Sequence, residues 1–139
     1  ERKKLTEQLT KEAIIQIEPD QQDSPFLFVL GKNWPTGIIG LIASRIKERY
    51  QKPTMVMALN NGEITGSGRS IKQFDMIANM QSEPEFFEKF GGHPMACGFT
   101  LKSTDVLNSY KKTLIEKFIE KIPLLIIVLY VLFSELFFP

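Results

Sequence analysis

Two short, unbroken apolar runs with an amphipathic segment between them constrain this sequence most. Phe26-Leu27-Phe28-Val29-Leu30 and Thr54-Met55-Val56-Met57-Ala58-Leu59 are of strand length and carry no charge. Strands without polar alternation are buried on both faces, so each needs a layer above it and a layer below. Between them, Ile39, Ala43, Ile46 and Tyr50 recur at helical spacing over residues 37–50, with Ile38 and Ile42 beside them. Thr36 stands where it can cap that helix. Asn60-Asn61-Gly62 then turns the chain back into a glycine-interrupted strand over residues 63–70. The order strand, helix, strand, strand predicts an α/β fold, a mixed β-sheet flanked by helices.

The rest of the chain extends this layer. Leu5, Leu9, Ala13 and Ile17 form a narrow stripe on a first helix over residues 1–17, the face of a helix lying against one neighbour. A polar loop bracketed by Pro19 and Pro25 ends it. Residues 74–80 and 84–90 read as short helices, with Pro84 suited to a first turn. Gly91-Gly92-His93-Pro94 reads as a tight turn, residues 96–101 as a strand, and residues 103–121 as a helix with Leu107, Leu114 and Phe118 inward. Residues 124–133 are apolar without a charge. That run is short of the roughly 20 residues of a spanning helix, and its Ile, Val, Tyr and Phe favour a buried strand.

Composition narrows the function. The chain has 139 residues, enough for one domain with a core, and 17 Lys+Arg against 16 Asp+Glu give a net charge of +1. A nucleic-acid binder working by bulk charge is excluded, so any anion must be held at a specific site. One Cys and one His exclude a disulfide framework and a thiolate zinc site, and disfavour a self-contained multi-metal centre. No signal segment follows the charged start, so a cytoplasmic setting is expected.

Two clusters carry possible chemistry. In Gly66-Ser67-Gly68-Arg69-Ser70 the glycines remove bulk, so a ligand can approach the backbone, and the guanidinium and hydroxyls match phosphate oxygens. The same residues also suit a bulged strand edge with a solvated Arg. In Gly91-Gly92-His93, paired glycines at positive φ would turn successive N–H groups toward one anion, with His93 as a further donor. A plain loop histidine is the competing reading. Arg45 and Arg49, one helical turn apart, suit either a backbone phosphate or solvent. Trp34 is read as a core lid sooner than a base platform, and Cys97 as an inert core thiol.

Taken in series, Trp34-Pro35-Thr36-Gly37-Ile38-Ile39-Gly40-Leu41-Ile42-Ala43-Ser44-Arg45, the Gly66 cluster, Phe74-Asp75 and Phe90-Gly91-Gly92-His93-Pro94-Met95-Ala96-Cys97-Gly98 resemble the DHHA1 domain of the RecJ exonucleases of the DHH phosphoesterase superfamily. The resemblance implies a division into the end of an interdomain linker helix and loop (1–25), a DHHA1-like substrate-binding domain (26–121), and an apolar tail starting an OB-fold domain (122–139). It implies a 5′→3′ single-stranded-DNA exonuclease acting in DNA repair and recombination. Mn2+ or Mg2+ would be bound by a catalytic DHH domain of the same chain that lies outside these residues, which would hold no metal and be inactive alone. Single-stranded DNA and that DHH domain are the expected partners, with no membrane.

The implied nucleic-acid contacts are Ser67, Gly68, Arg69, Ser70, Gly91, Gly92, His93 and Arg45, with His93 assisting at the scissile phosphate. Pro35 stands where such domains often carry His, and Cys97 where they carry Ala. The tail lacks the acidic residues usual at an OB entry. The competing functions are the DHHA1 part of an oligoribonuclease or cyclic-dinucleotide phosphodiesterase, and a non-catalytic nucleic-acid-binding module.

Overall fold

The structure is a computed structural model that describes residues 1–120 and 124–137. The helix α1 (Arg2–Ile17) leads into β1 (Leu27–Lys32), α2 (Ile39–Tyr50), β2 (Thr54–Asn60) and β3 (Glu63–Arg69). Then come α3 (Met76–Ser82), β4 (Phe87–His93), β5 (Ala96–Leu101), α4 (Leu107–Glu120) and α5 (Leu124–Phe137). The five strands make one mixed sheet in the order β1-β2-β3-β5-β4. β1 and β2 are parallel, as the α2 crossover requires, and every other pairing is antiparallel. Asn61 at φ 51° and Gly62 at φ 79° close the β2–β3 hairpin with two left-handed residues, the combination that matches strand twist.

Side chains alternate across the sheet, so each strand serves two layers. Phe26, Phe28, Met55, Met57, Cys97, Phe99 and Leu101 form one core with α3 and α4, through Met76, Met80, Tyr110 and Leu114. Leu27, Val29, Val56 and Ala58 form the other with α1 and α2, through Ala13, Ile17, Ile42 and Ile46. Trp34 lies over Gly31, where an added Cβ would fall 1.8 Å from its ring, so the expected lid is in place. Gly66 and Gly68 face the first core. An added Cβ would meet Phe99 at 2.1 Å and Met76 Sδ at 2.4 Å respectively, so their missing bulk admits core side chains and not a ligand.

Several sequence expectations are corrected. Ile38, not Thr36, occupies the N-cap of α2, and no side chain caps it. Residues 84–90 do not form a helix: a 3-10 turn at Pro84–Phe86 gives way to the edge strand β4, which pairs along one side with β5. Gly91, Gly92 and His93 lie in that strand instead of a turn. The tail strand is instead the helix α5. Among the described residues no strand pairs with it, and a helix satisfies its own backbone groups where no ladder is offered. Leu129, Tyr130, Leu132 and Leu136 on α5 are exposed. Leu107 and Leu114 are buried as expected, whereas the side chain of Phe118 lies outside the described residues.

Helices α3 and α4 are tied by Lys117 Nζ to Glu83 Oε1 at 2.6 Å. The hydrogen bond from Lys117 holds the Glu83 carboxyl below its ordinary pKa. A depressed carboxylate stabilises the fold above its unfolded pKa, and that contribution is lost as pH falls through the folded one. Glu83→Gln should therefore lower the thermal midpoint at pH 7. In thermal melts followed from pH 7 into the acid range, the gap to the unsubstituted protein should close below the ordinary carboxylate range.

Candidate nucleic-acid interface

The register of three strands brings the candidate residues together. Arg69 pairs with Ala96 and Ala96 with His93, so these three form one row across β3, β5 and β4. Ser67, Gly98 and Gly91 form the next row, and Thr65, Thr100 and Lys89 the one after. Directly paired residues project to the same face. Ser67, Arg69, Gly91 and His93 therefore share one side of the sheet, with the Arg69 and His93 backbones two strand spacings, about 10 Å, apart. Helix α2 packs over β2 and β3, and beyond them Gly98, Gly91 and His93 on this face are exposed.

Arg69 is held in place by acceptors on two elements. Its Nε donates to Ser44 Oγ on α2 at 3.1 Å, and its Nη1 donates to Ser67 Oγ at 3.0 Å and to the Gly68 carbonyl at 2.8 Å. Three of the five N–H donors are thereby used, and the two on Nη2 have no acceptor among the described residues. Nη2 lies 2.7 Å from where a Cβ on Gly40 would stand, so glycine in α2 makes the space that the guanidinium enters. A fork fixed on one side and open on the other is arranged for an oxyanion. A small cavity of about 110 Å³ beside Arg69 is lined by Ser44, Lys47, Glu48, Arg69, Ser70 and Met95.

The other candidates divide. Ser70 is buried, and its hydroxyl donates to the Phe74 carbonyl at 2.7 Å, so it fastens the turn into α3. Gly68 contributes its carbonyl to Arg69. Arg45 is exposed on α2, next to Ser44 but without a hydrogen bond to the sheet among the described residues. The Arg49 guanidinium sits 5.5 Å from the Tyr50 ring.

The expected nest of consecutive N–H groups is not formed, because only Gly92 has positive φ (136°) and both glycines lie in the ladder with β5. A Cβ on Gly92 would stand 2.4 Å from the Ala96 carbonyl oxygen, so this glycine serves the strand. Burial pushes the Cys97 thiol up to about 11, which keeps it protonated and inert.

Gly40 and Ser44 are functional positions that residue type alone does not reveal. Their spacing, four apart on a predicted helix with small side chains, is the signal that a bulky group enters there. Among the described residues no group of three or more His, Cys, Asp or Glu could hold a metal, and no helix is long and apolar enough to cross a membrane. Gly40→Ala tests the cradle. The substitution favours the helix by up to about 1 kcal/mol yet displaces Nη2. The thermal midpoint should hold or rise while affinity for a phosphate-bearing ligand, titrated by calorimetry, falls several-fold.

Comparison with known proteins follows the same boundaries. Residues 23–121 match the DHHA1 domain. The single-stranded-DNA-specific exonuclease RecJ of Bacillus subtilis (strain 168) is 35% identical over 108 residues, 76% of this chain and 14% of that protein. The RecJ of Salmonella typhimurium is 34% identical over 110 residues, 73% of this chain and 19% of that protein. The chain thus spans less than a fifth of the length of these relatives. The fold aligns with the crystal structure of RecJ in complex with Mg2+ from Thermus thermophilus at a TM-score of 0.72 and 23% identity, over 88% of this chain and 18% of that one. The matched residues span β1 to α4, carry the whole sheet, the first core, the α2 part of the second and the Arg69 fork, and place this chain in the DHHA1 domain family.

Proposed function

We propose that this domain is the strand-holding part of a RecJ-like 5′→3′ single-stranded-DNA exonuclease. The observation that carries the reading is the Arg69 guanidinium, anchored by Ser44, Ser67 and Gly68 with its Nη2 edge open on the face that also bears His93. A fixed guanidinium costs little entropy on binding and presents the two remaining N–H groups of Nη2 to a phosphodiester. His93 stands across Ala96 and donates to a non-bridging oxygen of the phosphate being cleaved, where charge builds up during attack. Relatives named as single-stranded-DNA-specific exonucleases support the substrate class.

The hydrolytic chemistry lies outside this domain. The described residues do not fit a divalent ion, so the Mg2+ or Mn2+ would be held by a DHH catalytic domain of the same protein, facing this sheet. The resemblance alone supplies the cleavage polarity. In this reading residues 1–25 are the end of the helix and loop connecting to that catalytic domain, and residues 122–139 lead onward to a further domain.

The test is single-stranded-DNA binding and hydrolysis by the full-length protein carrying Arg69→Ala or His93→Ala. Arg69→Ala should weaken binding at least tenfold and lower the salt slope of log affinity by about 0.7, the value of one phosphate contact on a single strand. His93→Ala should lower kcat by about 10²-fold with binding little changed. Unaltered affinity in the first and unaltered turnover in the second would overturn the proposal.

A further inference from the structure

The sheet glycines differ in what requires them. Gly31, Gly66 and Gly68 make room for Trp34, Phe99 and Met76, and Gly92 has a left-handed φ. Gly91 and Gly98 have neither reason. A Cβ on Gly91 would meet nothing within 4 Å, and one on Gly98 would meet only the Gly66 carbonyl oxygen at 3.9 Å. Neither has positive φ, both are exposed, and they pair directly opposite each other. The fold would accept side chains here, yet the strip leading away from Arg69 and His93 is bare backbone.

The strip ends in a cavity of about 290 Å³ lined by Thr65, Lys89, Gly91, Gly98 and Thr100, among others. Thr100 is 2% exposed, and its hydroxyl has no hydrogen-bond partner among the described residues. Its oxygen is not among the fully buried atoms that lack a partner, so it keeps a small opening through which a ligand or water can bond it. Lys89 arrives by a second irregularity. Phe87 pairs with Leu101 and Lys89 with Thr100, which leaves Glu88 as an extra residue. That bulge turns Lys89 from the core face, where Phe87 lies, to the open face. Its ammonium group has no ion pair among the described residues. The Thr65–Thr100–Lys89 row lies two residues along the strands from the Ser67 row against which the Arg69 guanidinium rests, about 7 Å. An extended nucleic-acid backbone spans such a distance between successive phosphates.

We infer that Lys89, Thr65 and Thr100 form a second phosphate subsite, which takes the phosphodiester next to the one at Arg69 as a single strand crosses the bare Gly91–Gly98 strip. The inference rests on the reading of Arg69 as a phosphate contact. Lys89 supplies the counter-charge, the unpartnered Thr100 hydroxyl donates to a phosphate oxygen, and the glycines let the sugar pass close to the backbone.

Two ligands separate the subsites: thymidine 5′-monophosphate, with one phosphate, and the 5′-phosphorylated thymidine dinucleotide, with two. Binding is measured on the full-length protein without divalent cations. Lys89→Ala should weaken the dinucleotide five- to tenfold and leave the mononucleotide unchanged. Thr100→Val should weaken the dinucleotide alone while its thermal midpoint holds or rises, an outcome a purely structural threonine would not give. If both variants bind the dinucleotide like the unsubstituted protein, or weaken both ligands alike, the second subsite is refuted. Arg69→Ala, measured alongside, separates the two failures. Loss of both ligands there with none in Lys89→Ala removes the second subsite alone, whereas no loss in Arg69→Ala removes the reading beneath it.

Discussion

The arrangement depends on how β3 divides its two faces. Its even-numbered glycines must stay small because Phe99, Met76 and Cys97 fill the space where side chains would be. Its odd-numbered residues are thereby pinned to the other side, since a shift of one residue would drive Ser67 and Arg69 into the core. Core packing on one face thus sets the register on the opposite one. Ser44 and Gly40 then complete the fixation from α2, so the guanidinium is positioned by a strand and a helix at once.

Much of this fold was legible from periodicity. The apolar runs at residues 26–30 and 54–59, the α2 stripe and the Asn-Gly turn are local signals that agree with their tertiary setting. The failures occur where partners decide the conformation. Residues 84–90 begin with a good helix-start proline, but β5 offers an edge to pair with and the chain takes it. Residues 124–133 have strand composition but no neighbouring strand, and β-propensity expresses fit to a pleated partner more than a preference of the backbone.

The site was legible in composition but not in construction. Arg69 and His93 stood out as donors beside glycines, yet strand register cannot be read from residue types, and register is what places them in one row. Gly66, Gly68 and Gly92 look in sequence like openings for a ligand, but their smallness serves the protein itself. Gly98 and Gly91, which serve nothing internal, differ from them only once neighbours are known. Thr100 and Lys89 do not stand out in sequence. One is distinguished by a missing hydrogen bond and the other by a bulge, and both properties exist only in the assembled sheet.

The sole tryptophan has a practical consequence. Its indole is pressed against Gly31 within the layer formed by α1, α2 and the α2-facing side of β1 and β2, and is 7% exposed. Fluorescence from Trp34 therefore senses melting of that half of the molecule. It is a poor optical reporter for events on strands β4 and β5, for which an extrinsic dye or ring-proton resonances of His93 are the appropriate spectroscopic handles.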